Sequence, residues 1–275
     1  MDLRNESIDA VLEIVEQRLG AVLDRTSLVC KRRTVGGPTD RSTWVRIERR
    51  PWSRAQEQGW DGIEAAAALS GVAMPRWTGS IAWPELGDGA IWRADETFLL
   101  PAAPVGTAIM ATDPGLPDSW WAALGTSLDA LAKQHTVRMA TPDTVAISQQ
   151  HVDEVIRAAF PFAVNTEVAS WQPAHADLNW ANVTGSEFCL FDWEDWGMAP
   201  RGLDSASLLA ASLAVPALAD RVRRERRADL ASRDGKVMQL FVLARIASPH
   251  AHPADPRVER ALAEAMQLVH DLQRI

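Results

Sequence analysis

The sequence predicts an α+β fold in two lobes, a small β-rich lobe over residues 1–102 and a larger helical lobe over residues 103–275. Three observations carry this. Strand-like alternation dominates the first third, helical spacing dominates the rest, and the proline-rich segment PAAPVG stands between them. A layout of this kind is expected to leave a cleft between the lobes, where ligands bind.

Taken in order, Ile8, Val11, Leu12, Val15, Leu19, Val22 and Leu23 recur at three-and-four spacing and predict an amphipathic first helix, with Asn5 and Ser7 as candidate caps. Strands follow at Ser27 to Val35 and Ser42 to Arg49, joined by the turn-rich GGPTD. In the second strand Trp44, Arg46 and Glu48 share one side, and Val45 and Ile47 the other. A helix from Ala55 to Leu69 precedes strands at Trp77 to Trp83, Ala90 to Ala94 and Thr97 to Leu100. Beyond residue 103, helices are predicted at Pro117 to Gln134, Gln149 to Phe160, Asp204 to Leu213, Pro216 to Ala231, Gly235 to Ala247 and Asp255 to Arg274. A strand-and-loop island, Ala169 to Pro200, interrupts them.

A net charge of −8 argues against a nucleic-acid surface, which needs clustered Lys and Arg. The only two cysteines, Cys30 and Cys189, fit no metal or redox spacing and are expected to be small buried residues. The N-terminal segment mixes acids with apolar residues, unlike a signal peptide, and no apolar run approaches the roughly 20 residues of a membrane span. A cytoplasmic protein with no membrane partner is the expectation. His250 and His252, between prolines and without a third ligand nearby, do not make a zinc site.

The chemistry is concentrated in HADLNWANVTGSEFCLFDWEDWGMAPRGLD, His175 to Asp204. Val183-Thr184 and Phe188 to Phe191 predict a hairpin bridged by Gly185 and Ser186. Asp177 and Asn182 precede it and Asp192 ends it, so three oxygen-bearing side chains are brought together. An Asp and an Asn can hold a hard cation such as Mg²⁺, while a further carboxylate receives or orients a hydroxyl proton. That set suits phosphoryl transfer, where catalysis is mostly positioning and charge neutralisation.

His175-x-Asp177-x-x-x-x-Asn182, followed by Asp192, resembles the catalytic and metal loops of the protein-kinase-like superfamily. HADLNWANV and LFDWEDWGMAPRGLD resemble more specifically the aminoglycoside phosphotransferase family, with its H-G-D-x-x-x-x-N loop, I-D-W-E type metal loop and later Pro-x-x-x-Asp, here Pro200 and Asp204. The resemblance covers roughly His175 to Leu209. It implies a kinase-like fold, ATP and Mg²⁺ as cofactors, Asp177 as the catalytic base or hydroxyl-orienting group, and Asn182 and Asp192 as metal ligands. His175 is the second candidate of the catalytic loop, as a brace rather than a proton carrier. Asp204 corresponds to the aspartate that ties the helical lobe to that loop.

The small lobe departs from the pattern. A kinase-like ATP site wants a strand cation paired with a helix glutamate, and TWVRIERR has no lysine. Arg46, with Glu64 as partner, is the candidate pair; Lys31 is a second candidate cation. Gly36 and Gly37 are candidates to cradle phosphates through backbone amides, although two glycines in a turn more often just make the turn. On the acceptor side, Glu194 and Asp195 are candidate anions and Trp180 a candidate ring, suiting a hydroxylated and cationic small molecule. The expected activity is ATP-dependent O-phosphotransfer to a small-molecule hydroxyl, of an aminoglycoside or another cationic antibiotic. The alternatives are a nucleotide-binding pseudokinase that regulates a partner, motivated by the missing lysine, and a kinase of a neutral hydroxylated metabolite.

Overall fold

A computed structural model describes residues 2–55, 57–85, 87, 89–100, 102–161, 164–248 and 254–274. The chain divides into two compact units, residues 1–68 with 74–101 and residues 69–73 with 102–275.

The first unit is a small antiparallel sheet. Its strands are β1 (Val29–Cys30), β2 (Thr34–Pro38), β3 (Thr43–Pro51), β4 (Trp77–Pro84) and β5 (Ala90–Phe98), in the order β1-β2-β3-β5-β4. Helix α1 (Asp9–Leu19) lays Leu12 and Val15 into a core with Val35, Val45, Ile47, Trp92 and Ala94. Period-two alternation then places Trp44, Arg46, Glu48 and Arg50 of β3, with Arg93 and Asp95 of β5, on the opposite face.

Four local expectations are revised here. The strand foreseen over Ser27 to Val35 is two strands, parted at Lys31 to Arg33, where the Lys31 N–H donates to the Thr34 carbonyl at 2.8 Å. Gly36 and Gly37 lie not in a turn but inside β2, opposite Arg46 and Val45. Glycine is required there by close approach: a Cβ at Gly36 would come within 2.6 Å of the Trp44 ring, and one at Gly37 within 2.6 Å of Leu28. The helix foreseen over Ala55 to Leu69 shrinks to α2 (Gly62–Ala66) behind single 3₁₀ turns at Trp52–Arg54 and Gln58–Trp60. Gly59 and Gly62 interrupt it, at about 1 kcal/mol each relative to alanine. Cys30 is exposed rather than buried.

The second unit is mainly helical: α3 (Asp118–Leu131), α4 (Gln149–Ala159), α5 (Leu203–Ser212), α6 (Pro216–Glu225), α7 (Arg227–Leu230), α8 (Arg233–Ile246) and α9 (Val258–Gln273). Helix α8 packs against α4, α5 and α9, which is why most of its residues are buried. The single helix foreseen over Pro216 to Ala231 is two, because Arg226 leaves helical geometry and turns its guanidinium inward to Asp129, Ser205 and Asp229. His250 and His252 lie outside the described residues. Among the described residues, no helix is long and apolar enough to cross a membrane.

Between α4 and α5, strands β6 (Trp171–Ala174) and β7 (Gly197–Pro200) pair antiparallel, with Ala174 opposite Gly197. A Cβ at Gly197 would meet the Met139 carbonyl carbon at 2.5 Å, so only glycine lets β7 lie against that segment. His175 follows β6 directly, and this small sheet therefore presents the chemistry-bearing loop.

Candidate active site

The loop is anchored at both ends of β6 by buried carboxylates. At its entry, Asp234 in the first turn of α8 accepts from the Ala169 N–H at 3.1 Å and the Ser170 N–H at 2.8 Å. At its exit, Asp204 in the first turn of α5 accepts from the His175 N–H at 2.8 Å and the Ala176 N–H at 2.9 Å. Burial pushes the Asp204 carboxyl up, while His175, the two amides and Arg226 oppose that shift. The clamp has something to hold. Ala176 is left-handed, with φ 69, which costs a non-glycine residue about 1–2 kcal/mol.

Asp177 comes next and is exposed. Its Oδ2 accepts from Asn182 Nδ2 at 2.8 Å and its Oδ1 from Asn179 Nδ2 at 3.1 Å. The Asn182 amide also donates to the Asp177 carbonyl at 2.9 Å. Both amide hydrogens of Asn182 are thereby committed to Asp177. Asn182 Oδ1 takes no hydrogen bond among the described residues.

The hairpin is formed as the Gly185-Ser186 turn suggests. Val183 bridges Leu190, the Thr184 N–H donates to Cys189, and the Phe191 N–H donates to the Asn182 carbonyl at 3.0 Å. Asp192 sits one residue beyond that last pair, left-handed at φ 68. His175 closes the arrangement. Its Nε2 lies 3.0 Å from the Phe191 carbonyl, an acceptor only, so the ring proton is on Nε2. Its ring lies nearly perpendicular to that of Trp193, with centroids 4.7 Å apart. Burial pushes the imidazole down, against the pull of Asp204 and Asp192, and keeps it neutral at pH 7. His175 therefore joins the two loops and is wholly buried.

The residues expected on the acceptor side are placed differently. Trp180 is fully buried; it stacks on Trp120 at 5.9 Å and its Nε1 donates to Ser212 Oγ at 3.0 Å. No face of that ring is open to a ligand. Asp195 accepts from the Thr141 hydroxyl at 2.8 Å, and its carbonyl accepts from the Thr141 N–H at 2.9 Å. Glu194 is half-buried. Arg201 pairs with Asp229 at 3.4 Å.

In the first unit, Arg46 and Glu64 do not pair. Arg46 Nη1 donates to Glu48 at 2.9 Å, and Glu48 also takes Arg50. The partner of Glu64 is Arg93, at 2.8 Å, whose Nε and Nη2 donate to Asp95 at 2.7 Å each. Trp60 lies 5.7 Å from the Arg50 guanidinium and 5.9 Å from that of Arg93. Strand register explains the exchange: Arg93 stands opposite Glu48 and Asp95 opposite Arg46. The signal was present in WRADET, where two charges alternate with apolar residues in a strand, but the choice of partners needs the register. Gly36 and Gly37 commit their positions to the sheet, and Lys31 is exposed in the β1–β2 turn.

No family model matches the chain, and no curated protein does. Solved structures do. An aminoglycoside 2'-phosphotransferase-IIIa in complex with GDP superposes with a TM-score of 0.58 at 11% identity, over 97% of this chain and 98% of its own. An amicoumacin kinase in complex with AMP-PNP and Ca²⁺ gives 0.53 at 10% identity, over 94% and 93%. A macrolide 2'-phosphotransferase type I gives 0.52 at 13% identity, over 99% of both. At such identities the likeness establishes architecture: a small antiparallel sheet followed by a helical lobe, the protein-kinase-like fold of the aminoglycoside and macrolide phosphotransferases.

Proposed function

We propose that this protein is an ATP-dependent O-phosphotransferase acting on a hydroxyl of a small molecule, with Asp177 as the hydroxyl-orienting carboxylate. One observation carries the reading. An exposed carboxylate is fixed by two asparagine amides on a doubly anchored loop, and the Asn182 amide oxygen is left over beside the hairpin that ends in Asp192. A binding module has no use for a carboxylate held in this way.

The donor set fits Mg²⁺. Asn182 Oδ1 and the Asp192 carboxylate are hard oxygen ligands, and Mg²⁺ commonly takes one or two protein oxygens with the rest from nucleotide phosphates and water. Among the described residues there is no group of three His, Cys, Asp or Glu that could hold a metal without such help. When bound there, the cation would neutralise charge on the ATP phosphates. The protein's own part is positional. Asp177 accepts the hydrogen bond of the acceptor hydroxyl and takes its proton as the new O–P bond forms and the bond from the γ-phosphorus to the β,γ-bridging oxygen breaks, releasing ADP. In the first unit, Arg93 with Glu64 replaces Arg46 with Glu64 as the candidate pair for the α- and β-phosphates.

Amicoumacin kinase was solved with AMP-PNP and Ca²⁺, which supports a nucleotide and a divalent cation here. The structural neighbours named for aminoglycosides and macrolides support a hydroxylated antibiotic-like acceptor. A strong preference for cations loses support, since Trp180 is buried and Asp195 is engaged by Thr141. Transfer of label from γ-labelled ATP, across hydroxylated amines, macrolides, sugars and peptide antibiotics, tests the proposal. A labelled product that depends on Asp177 is expected; nucleotide binding with no transfer to any acceptor or to water points to the regulatory alternative.

A further inference from the structure

Asn179 occupies a variable position of the motif, yet no side chain in the loop is more fully used. Its Nδ2 donates to the Asp177 carbonyl and to Asp177 Oδ1, each at 3.1 Å, and its Oδ1 accepts from the Ala181 N–H at 2.9 Å. Its own carbonyl accepts from the Asn182 N–H at 3.1 Å. Asn182 repeats the amide pattern on the other side, reaching the same carbonyl at 2.9 Å and Oδ2 at 2.8 Å. Asp177 is thus held symmetrically, one amide to each carboxylate oxygen and both to its main-chain oxygen. Two amides acting on two different oxygens restrict rotation about the Asp177 side-chain bonds.

We infer that Asn179 is a positioning residue that, with Asn182, fixes the orientation of the Asp177 carboxylate for phosphoryl transfer to the acceptor hydroxyl, an inference that rests on the phosphotransferase reading above. Both amide hydrogens and the amide oxygen of Asn179 are spent inside the loop, so its role is exerted through Asp177 and not through a ligand. A competing role is purely local: the bond from Ala181 N–H makes a side-chain-closed turn of the kind asparagine favours anywhere. The two roles separate chemically. Aspartate at this position keeps the acceptor for Ala181 but loses the donor to Asp177 and sets a like charge beside it.

The test uses the full chain, Mg-ATP and water as the acceptor hydroxyl, with nucleotide affinity read from tryptophan quenching by Mg-AMP-PNP. Asn179→Ala and Asn179→Asp are both expected to lower turnover roughly tenfold to a hundredfold, the range for losing a donor to a charged group. Nucleotide affinity should stay within about twofold, because Asn182 and Asp192 are untouched. In an Asp177→Asn background neither change should cost anything further, since residues acting through one group are not additive. Independently of turnover, the Asn179 side-chain amide resonances in ¹⁵N spectra should move on Asp177→Ala. Wild-type turnover in Asn179→Asp, losses that multiply with Asp177→Asn, or amide resonances indifferent to Asp177→Ala would each overturn the inference. Wild-type turnover in Asp177→Asn alone would instead overturn the functional reading beneath it.

Discussion

Replacing Asp204 by asparagine tests the claim that the active loop is held in a strained shape by one buried carboxylate. In the wild type two amides, at 2.8 and 2.9 Å, share the two oxygens. Asparagine keeps one oxygen and turns an NH₂ toward the other amide. One charge-assisted bond is lost, about 1.5–3 kcal/mol, and a buried N–H is left facing another, about 1–3 kcal/mol. Part of this is offset, because burial already disfavours the Asp204 charge. The expected net loss is about 2–4 kcal/mol, or about 5–15 °C in Tm for a chain of this size. Released from the clamp, Ala176 is free to leave its left-handed conformation, so turnover should fall at least roughly tenfold, while far-ultraviolet circular dichroism keeps its helical content. Urea unfolding and melting curves measure the first effect, phosphate release from Mg-ATP the second. A variant within about 0.5 kcal/mol of wild type would refute the clamp.

Two further expectations concern the charged face of the first unit. Arg93→Ala leaves buried Asp95 without its two-point partner and should cost about 3–5 kcal/mol in urea unfolding, whereas Glu64→Ala, whose side chain is 47% exposed, should cost less than about 1 kcal/mol; equal costs would contradict the burial assigned to the pair. Burial alone would push the Glu48 carboxyl up, but the Arg46 and Arg50 guanidiniums outweigh it and hold it below its ordinary 4.5. A depressed carboxyl stabilises above its unfolded pKa and loses that contribution as pH falls through the folded value. Wild type should therefore lose stability below about pH 4.5 more steeply than Glu48→Gln, and matching acid profiles for the two would remove the claim.

Much of the fold was legible because burial follows periodicity. Val45 and Ile47 alternate with Trp44, Arg46 and Glu48 in β3 as written, and α3, α4, α5 and α8 begin and end within a few residues of the apolar pattern. What failed was decided at a distance. The Gly36-Gly37 pair reads as a turn, yet it lies in a strand because the Trp44 ring and Leu28 occupy the space of its missing side chains. Arg46 and Glu64 have the right types and order, but the pairing belongs to Arg93, brought to Glu64 by the register of β5. At the site, the spacing put Asp177 and Asn182 in one loop, where they are hydrogen-bonded, and Asp192 just beyond the hairpin. Asn179 and Asp234 were not legible, because nothing in the spacing marks a side chain that bonds the main chain. Trp180 shows the reverse error: aromatic rings beside a reactive loop suggest a ligand surface, and here packing against α3 and α5 claims the ring.

The central claim, that Asp177 orients the hydroxyl receiving the γ-phosphoryl group, is met most directly by the transfer rate of Asp177→Asn measured at saturating Mg-ATP. The substitution conserves shape and both asparagine neighbours, so binding of Mg-AMP-PNP should persist. Transfer of labelled phosphate, to a panel acceptor or to water, should fall roughly 10²–10⁴-fold, the range for a positioned proton acceptor. Transfer at the wild-type rate would contradict the assignment.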